Sequence, residues 1–253
     1  MDDYLAILKN LVRINNMVEK IAIIIPARYA STRFPGKPLA DINGKPMIQH
    51  VYERAKLSNV DSVIIATDDE RIEKAVKAFN GNVMLTGEHK TGTDRIAEVA
   101  SKIDADIIIN VQGDEPLIHP ETINLTLQPL LDNPDLLVTN AVEHMSSKED
   151  INDINNVKSV IDANSNILYF SRLAIPNNHT TTFKQLGLYA FRKQFLFQFS
   201  KWEQTPLEKI ERVEMLRALE NGQVVKATVT PHKSVSVDLP EDLEKVKAIL
   251  NGK

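Results

Sequence analysis

The sequence predicts an α/β protein with a parallel sheet and helices packed on it, and three observations support this. Apolar runs and amphipathic stretches alternate as strand, helix, strand, helix, strand from Ile21 to Leu85. The segment 106–111 is another strongly apolar run with the length of a buried strand. Charged loops follow the first strand and the segment 106–111 directly, at the sheet edge where open α/β proteins bind ligands.

The first half of the chain gives clear boundaries between elements. Asn43-Gly44 predicts a tight turn, and Pro46 suits the first turn of the helix that follows. Asp68 is the expected N-cap of the second helix, and Thr91 or Thr93 can cap the third. The elements predicted in this half are strand 21–26, helix 46–58, strand 62–67, helix 69–79, strand 83–85, helix 96–101, strand 106–111 and a helix from 120 to 131.

The second half begins with a predicted strand over 136–142 and becomes polar from 146 to 156, where we place the boundary of a smaller lobe. Two β-rich runs around an Asn- and Asp-rich turn predict a hairpin over 157–161 and 167–170. Pro206 and Gly222 bracket one predicted helix over 207–221. The remaining predictions are strand 187–191, helix 193–200, strand 224–229 and a last helix that opens after Asp238 as its N-cap.

Composition excludes several classes of protein. The chain has 253 residues and a net charge of −4, which argues against a general binder of nucleic acid or of membrane surfaces. It contains no cysteine, so disulfide frameworks, thiolate metal sites and thiol nucleophiles are excluded. No apolar run reaches the roughly 20 residues of a transmembrane helix. We therefore expect a cytoplasmic protein that binds small molecules at a local site.

The loop after the first strand carries several groups that bind phosphate. Arginine offers a planar fork of donors, lysine a mobile charge, and glycine lets backbone amides approach oxygen atoms closely. The same residues also suit a solvated basic turn, but their position after a buried strand favours a polyphosphate site. The residues concerned are Arg28, Ser31, Thr32, Arg33, Gly36 and Lys37.

An acidic turn follows the strand 106–111. Asp114 lies where a carboxylate can hold a divalent cation against substrate phosphates, and Mg²⁺ prefers one or two carboxylates with phosphate and water. The alternative is an acidic turn before a capped helix. Two further segments leave both readings open: the loop with Thr93 and Arg95 is either a nucleotide contact or a plain helix cap, and the repeated glutamates of helix 207–221 either line a ligand site or form a solvated face.

The first 20 residues have apolar side chains at near-helical spacing, which predicts one amphipathic helix ahead of the domain. Asp2 and Asp3 stand where a secretory signal has cations, so a targeting peptide is not favoured.

Several motifs together resemble one family. They are IPARYASTRFPGKPLADINGKPMI (25–48), VIIATDDERI (63–72), TGTDRI (91–96), INVQGDEPLI (109–118), VKSVIDANSNILYFSRLAIP (157–176), LGLYAFRK (186–193), PLEKIERVEMLRALENG (206–222) and SVDLPEDLEKV (236–246). They occur in order from about residue 20 to the end. On these motifs the chain is similar to the 3-deoxy-manno-octulosonate (Kdo) cytidylyltransferases, the CMP-Kdo synthetases of lipopolysaccharide synthesis.

The resemblance implies a Rossmann-like nucleotidyltransferase fold, with a mixed, mostly parallel sheet and helices on both faces. It implies one domain over 21–253, with a nucleotide-binding core at 21–145 and 222–253 and a sugar-binding and dimerisation lobe at 146–221. The implied reaction converts CTP and Kdo to CMP-Kdo and diphosphate with Mg²⁺, in a cytoplasmic homodimer.

The resemblance also implies roles for individual residues. Catalytic roles fall on Lys37, Asp114 and Asp238, and the two aspartates become the metal ligands, which replaces the capping role of Asp238. Nucleotide contacts fall on Arg28, Ser31, Arg33, Lys37, Thr93, Arg95 and Gln112. Sugar contacts fall on Arg172, Gln185, Tyr189, Glu211 and Glu214.

The chain departs from the family pattern in the sugar half. Gln185 stands where the family commonly has His, Met215 where it commonly has Gln, and 177–184 is shorter than the usual segment. Lost hydrogen bonds of this kind can redirect specificity. The alternatives are therefore the same CMP transfer to another acidic acceptor (an 8-amino-Kdo, another ulosonic acid or a phosphonate), or a non-catalytic nucleotide-binding protein on this fold.

Overall fold

The structure is a computed structural model that describes residues 19–30, 34–177 and 182–252. The predicted N-terminal helix, except for its last two residues, lies outside the described residues, as do Ser31 and Arg33. Lys20 is described, and its backbone NH donates to Asp106 Oδ2 at 2.9 Å.

The described strands are β1 (Ile21–Ala27), β2 (Asp41–Ile42), β3 (Lys45–Pro46), β4 (Ser62–Thr67), β5 (Val83–Leu85), β6 (Ile107–Val111), β7 (Val138–His144), β8 (Lys158–Ile161), β9 (Ile167–Ser171), β10 (Phe183–Arg192) and β11 (Val225–Thr230). The described α-helices are α1 (Met47–Ala55), α2 (Glu70–Ala78), α3 (Gly92–Ser101), α4 (Pro120–Asp132), α5 (Lys148–Asn152), α6 (Lys193–Lys201), α7 (Pro206–Glu211), α8 (Met215–Glu220) and α9 (Pro240–Leu250). None of the helices in the described ranges is long and apolar enough to cross a membrane.

One large mixed sheet organises the domain, in the order β11-β7-β10-β6-β1-β4-β5, with the β8–β9 hairpin attached to β10. β1 is parallel to β4 and β6, β4 is parallel to β5, and β7 is parallel to β11. Strand β10 is antiparallel to both β6 and β7. Strands β1, β4, β5, β6, β7 and β11 therefore all point the same way, and their carboxyl ends meet at one edge.

The faces of the sheet are covered by apolar clusters. β1 alternates its side chains between them: Ala22 and Ile24 belong to the cluster with α3, α6 and α8, whereas Ile23 and Ile25 belong to the cluster with α1, α2 and α4. Burial on both faces explains why β1, β4 and β6 are continuous apolar runs rather than alternating ones. The predicted fold class is confirmed, including helices on both faces.

The predicted helix over 207–221 is wrong: the structure has two short helices, α7 and α8. Arg212 ends α7 in the left-handed region, with φ 57° and ψ 45°. Glu208 and Arg217, both buried, join the two helices by a salt bridge of 2.5 Å. The bridge closes the two helices into a hairpin, which a continuous helix over these residues does not allow.

Two of the predicted helix caps are also wrong. Asp69, rather than Asp68, caps α2, because its carboxylate accepts from the backbone NH of Arg71 at 2.9 Å. Asp238 does not cap α9, since the helix begins at Pro240 and its first turn is held by Asp242, which accepts from the backbone NH of Asp238 and of Leu239 at 3.2 and 3.0 Å. For α3 the structure chooses Thr91 over Thr93, with a capping box to Asp94.

Candidate active site

A cavity of about 500 Å³ opens at the carboxyl ends of β1 and β6. It is lined by residues from the loops after these strands, from the start of α3 and from the α7–α8 hairpin. Five of the predicted site residues line it: Arg28, Lys37, Gln112, Asp114 and Glu214. The sheet edge predicted from the order of strands is therefore where these side chains meet.

The loop after β1 is folded back so that Lys37 faces the strand ends. The backbone NH of Gly36 donates to Tyr29 O at 2.9 Å, and Gly36 has φ 72°, a conformation that favours glycine. A short 3₁₀ turn, Lys37–Leu39, begins directly after it. The turn places the ammonium group of Lys37 beside Asp114.

Lys37 joins the two predicted metal ligands. Its Nζ lies 2.8 Å from Asp114 Oδ2 and 3.7 Å from Asp238 Oδ1. The same nitrogen donates to Val237 O at 2.7 Å. Asp114 and Asp238 are 124 residues apart in the chain, and they converge because β6 and β11 end at the same sheet edge.

Asp114 is placed by a close approach of two chain segments. A Cβ on Gly113 would lie 2.7 Å from Pro26 O, so only glycine lets the turn after β6 pass this close to the end of β1. The backbone carbonyl of Asp114 also accepts from the NH of Val237 at 2.9 Å. The loop between β11 and α9 is thus fixed to the turn that carries Asp114.

Arg28 and Glu214, which line the cavity, each have a buried polar atom with no partner among the described residues. Arg28 Nη1 donates to Lys90 O at 3.0 Å, but Nη2 is buried and unpaired. Glu214 Oε2 accepts from Thr93 Oγ1 at 2.6 Å, whereas Oε1 is buried and unpaired. Burial raises the pKa of Glu214 above its usual range. Buried donors and acceptors that have no protein partner, on residues that line a cavity, indicate a site for a polar ligand.

Thr93 and Arg95 contact different parts of the protein. Thr93 is tied to Glu214, so it connects α3 with the α7–α8 hairpin. Arg95 is fully buried and uses both terminal nitrogens within the protein, on Thr86 and Asp68, each at 2.5 Å. Arg95 does not line the cavity, so its predicted contact with nucleotide stays a prediction.

Apart from Glu214, which lines the cavity, the predicted sugar residues fall into two groups. Glu211 lies against Arg172, accepting from its backbone NH at 2.7 Å, and the Arg172 side chain reaches backbone carbonyls of both the 154–155 loop and the end of α7. Gln185 and Tyr189 lie on β10, next to β6: Gln185 donates to Asn140 at 3.2 Å, and Tyr189 is opposite Asn110. Neither group lines the cavity, and their sugar contacts stay predictions.

Sequence reasoning passed over Glu115, which the structure buries next to Asp114. Its Oε2 accepts from Ser234 Oγ at 2.5 Å. Burial raises the pKa of Glu115 to about 7. The signal in the sequence was the Asp-Glu pair after a buried strand, but adjacent side chains point in different directions and the pattern does not say which one faces the ligand.

Among the described residues, one group of three His and acidic side chains is close enough to hold a metal ion: His119, Glu121 and His232. The two imidazole rings are stacked, with centroids 3.5 Å apart and planes at 12°. Nitrogen lone pairs in parallel stacked planes do not converge on one ion. Glu121 Oε2 instead lies 2.7 Å from His232 Nε2, within hydrogen-bonding distance, and His119 caps α4.

The site and the fold define a nucleotidyltransferase. The sequence profile of the cytidylyltransferase family matches residues 22–235. The 3-deoxy-manno-octulosonate cytidylyltransferases of Geobacter metallireducens and of Pelobacter propionicus are each 49% identical to this chain, over 90% of it and 96% of their own length. The solved structure of CMP:2-keto-3-deoxy-manno-octonic acid synthetase complexed with CTP matches with a TM-score of 0.87 at 42% identity, covering 92% of this chain and 99% of its own.

The chain belongs to the 3-deoxy-manno-octulosonate cytidylyltransferase family. The predicted resemblance is confirmed, and the chain is an enzyme of the nucleotidyltransferase class rather than a non-catalytic protein on the same fold.

Proposed function

We propose that this enzyme transfers the cytidylyl group of CTP to 3-deoxy-manno-octulosonate, releasing diphosphate, as a step of lipopolysaccharide synthesis. The names of its relatives and the CTP bound in the similar solved structure support both substrates. The observation that carries the proposal is the convergence of Lys37, Asp114 and Asp238 beside a cavity that Lys37, Asp114 and Arg28 line. These are the charges that a triphosphate and its cation require.

The chemistry follows from that arrangement. An acceptor hydroxyl oxygen attacks the α-phosphorus of CTP, the new O–P bond forms, and the bond between the α- and β-phosphates breaks. Diphosphate leaves with the bonding electron pair, and the hydroxyl proton passes to solvent. Transfer of this kind needs positioning and charge stabilisation more than a protein nucleophile. Arg28 and Lys37 hold the phosphate oxygens and fix the line of attack.

The residues at the site fit a magnesium ion. Asp114 and Asp238 each present an oxygen to the same ammonium group, so the two carboxylates are near enough to share one cation. Carboxylate oxygens together with phosphate and water are the ligands that Mg²⁺ prefers. When bound, magnesium supplies positive charge to the triphosphate and to the attacking oxygen. We propose Asp114 and Asp238 as its protein ligands.

A second candidate is the same transfer to another acidic acceptor: an 8-amino-Kdo, another ulosonic acid or a phosphonate. The residues that depart from the family pattern favour it. Gln185 donates its amide to Asn140, and Met215 is 1% exposed in the core, so neither places an imidazole or a free amide at an acceptor site. A site without a hydrogen-bonding partner for an acceptor hydroxyl discriminates poorly between acceptors that have this hydroxyl and acceptors that lack it.

A diphosphate-release assay with CTP, Mg²⁺ and a panel of acceptors tests both candidates. We expect release with Kdo, and no release with CTP alone. Release with another acid from the panel but not with Kdo supports the second candidate. No release with any acceptor, from protein that binds CTP, contradicts both.

We further propose that the enzyme is a homodimer and acts in the cytoplasm. The predicted lobe over 146–221 carries large apolar side chains that are mostly exposed: Ile154, Leu168, Leu173 and Ile210, with exposed fractions of 62, 59, 69 and 73%. Exposed apolar residues gathered in one region suit a contact with a second copy.

A further inference from the structure

We infer that Glu115 and Ser234 are positioning residues for Asp238: their hydrogen bond fixes the β11–α9 loop so that Asp238 faces Asp114. The inference rests on the proposed function, because it assigns the loop a role in holding the cation that the reaction uses. It concerns groups that contact neither CTP nor the acceptor.

The loop from 231 to 239 has no regular secondary structure, so its course depends on the contacts along it. Ser234 lies within it and is 5% exposed, although the residues on each side of it are more open. A buried serine in an otherwise open loop indicates a fixed point. The contacts of Ser234 therefore decide how the loop runs.

Ser234 is held by three charged residues from three elements. Its hydroxyl donates to Glu115 Oε2 at 2.5 Å, and its backbone NH donates to Glu143 Oε2 at 3.1 Å. Its carbonyl accepts from Lys184 Nζ at 3.3 Å, and Lys184 lies 3.8 Å from Glu143 Oε1. Glu115 follows β6, Glu143 is on β7 and Lys184 is on β10, so the loop is fixed to the sheet edge itself.

Val237 is a second fixed point, three residues later. Its NH donates to Asp114 O at 2.9 Å and its carbonyl accepts from Lys37 at 2.7 Å. Asp238 follows it directly. Two fixed points separated by Val235 and Ser236 leave the chain little freedom, so the direction in which it enters Asp238 is set by both.

Burial of the Glu115 carboxyl group at this position costs free energy. It is 4% exposed, next to Asp114, and within the described chain it forms no salt bridge. Burying a carboxyl group is costly unless it is hydrogen-bonded. Its contact with Ser234 supplies that bond, and the pair links the turn that carries one metal-binding aspartate to the loop that carries the other.

Direct metal binding is the sharpest test, because it does not depend on turnover. We would titrate the full-length enzyme with Mn²⁺ in the presence of CTP and measure free Mn²⁺ by electron paramagnetic resonance. Removing groups that hold a ligating side chain in place typically costs about 10–100-fold in metal affinity or activity. We expect Ser234→Ala to weaken Mn²⁺ binding by about this factor, while binding of CTP without metal is unchanged.

Ser236→Ala is the matched control, since it removes the same atom from the same loop at a position with no hydrogen bond described to its hydroxyl. We expect it to bind Mn²⁺ as the unchanged enzyme does. Glu115→Gln tests the nature of the contact, because the hydroxyl of Ser234 can donate to the amide oxygen or accept from the amide nitrogen. We expect Glu115→Gln to retain Mn²⁺ binding and Glu115→Ala to lose it.

Circular dichroism and thermal unfolding establish that each variant is folded. If Ser234→Ala does not fold, Ser234→Thr replaces it. Ser234→Thr keeps the hydroxyl and is expected to bind Mn²⁺ normally. Folded Ser234→Ala with unchanged Mn²⁺ binding overturns the inference, and so does equal loss in Glu115→Gln and Glu115→Ala. An unchanged enzyme that releases no diphosphate from CTP and any acceptor contradicts the proposed function instead.

Discussion

Lys37 illustrates how one side chain serves two purposes. Its ammonium group already balances Asp114 and Asp238 and holds the carbonyl of Val237. A triphosphate and a divalent cation add further charge of both signs to the same place, and an ammonium on a flexible stem can move toward the phosphate oxygens. Lys37 is therefore expected to act on CTP rather than on the acceptor.

Lys37→Ala should lower kcat/KM for CTP by about 10²–10³-fold, the usual cost of removing one group that stabilises charge in the transition state. Binding of the acceptor should change far less. Steady-state kinetics with each substrate varied in turn gives both values. Lys45→Ala is the control, since that lysine pairs with Glu53 on the surface. A larger effect on the acceptor than on CTP would mean that the loop after β1 is assigned to the wrong substrate.

Asp114→Asn should abolish most of the turnover even at saturating Mg²⁺. The amide has the same shape but no charge, so it holds Mg²⁺ weakly and leaves Asp238 as the one carboxylate paired with Lys37 among the described residues. Diphosphate release across a range of Mg²⁺ concentrations measures the effect, with Asp135→Asn as the surface control. Full turnover by Asp114→Asn would remove Asp114 from the metal site.

Single residues are where prediction from sequence reached its limit. The residue pattern alone favoured Asp238 as a helix cap, because Asp-Leu-Pro-Glu-Asp suits a helix start. The structure begins the helix two residues later and turns the side chain toward Lys37. Whether a residue caps a helix depends on its own backbone conformation. A local pattern does not show that Asp238 instead lies close to Asp114, which is 124 residues earlier in the chain.

At the scale of elements, the α7–α8 hairpin shows what a continuous helical pattern conceals. Leu207 to Asn221 has the periodicity of one helix, but the chain turns at Arg212 and buries Glu208 against Arg217. The turn ends beside Glu214, whose carboxylate then reaches Thr93 on α3. A helix that continued through Arg212 would place Glu214 at a different position around the helix axis. The break at Arg212 therefore determines that Glu214 lies beside Thr93 and lines the cavity.

Glu208→Ala should lower the free energy of unfolding by about 3–5 kcal/mol, because it leaves the buried guanidinium of Arg217 without its partner. Urea denaturation measures this change. Glu203→Ala, on the exposed segment before the hairpin, is expected to change stability by less than about 0.5 kcal/mol. At urea concentrations well below its unfolding midpoint, where it is folded, Glu208→Ala should also have lower activity, because the hairpin holds Glu214. Equal stability of the two variants would show that the salt bridge does not hold the hairpin together.

The start of α4 predicts a pH dependence of stability. His119 caps this helix, and its neighbours are His232, Glu121 and Arg54. Burial first, then the charges of His232 and Arg54, lower the pKa of His119 below its unfolded value of about 6.5. The unfolded chain then binds the proton more tightly, so the contribution is present above about pH 6.5 and is lost as the pH falls below it.

His119→Asn keeps an oxygen that can cap α4 but removes the titrating ring. Denaturation at pH 7.5 and at pH 5.5 should show a smaller loss of stability in the variant than in the unchanged protein. Groups away from this helix start are common to both proteins, so the difference between the two losses reports on His119. An identical loss in both proteins contradicts the role given to this ring.

For the whole molecule, the alternation of strands and helices was predictable and the order of strands was not. The run from β1 to β5 contains the local signals of a parallel sheet, and the structure confirms its three predicted strands, β1, β4 and β5. The position of β10, antiparallel between β6 and β7, depends on pairing with β6, which lies more than 70 residues earlier in the chain. Residue patterns report burial and period but not partners, so the meeting of Asp114 with Asp238 also could not be read from them without the family resemblance.

Arg172 connects the backbone segments that carry three of the exposed apolar residues of the lobe: Ile154, Leu173 and Ile210. Its guanidinium group contacts the backbone carbonyls of Ile154 and of Arg212, and its backbone is bound by Glu211. Leu173 and Ile210 are chain neighbours of these residues. One arginine thus joins three segments that each carry a mostly exposed apolar residue, and exposed apolar residues in one region suit a contact with a second copy.

Leu173→Asp should therefore convert the proposed dimer to a monomer, because a carboxylate in a buried contact is desolvated without a partner. Sedimentation velocity of the unchanged protein should show a species near twice 28.4 kDa, and the variant one near 28.4 kDa. Leu57→Asp is the matched control: Leu57 is 72% exposed, similar to Leu173, but lies after α1, outside the lobe. We expect it to stay dimeric. An unchanged protein that sediments as a monomer at micromolar concentration, or a monomer produced equally by both variants, would show that this face of the lobe does not join two copies.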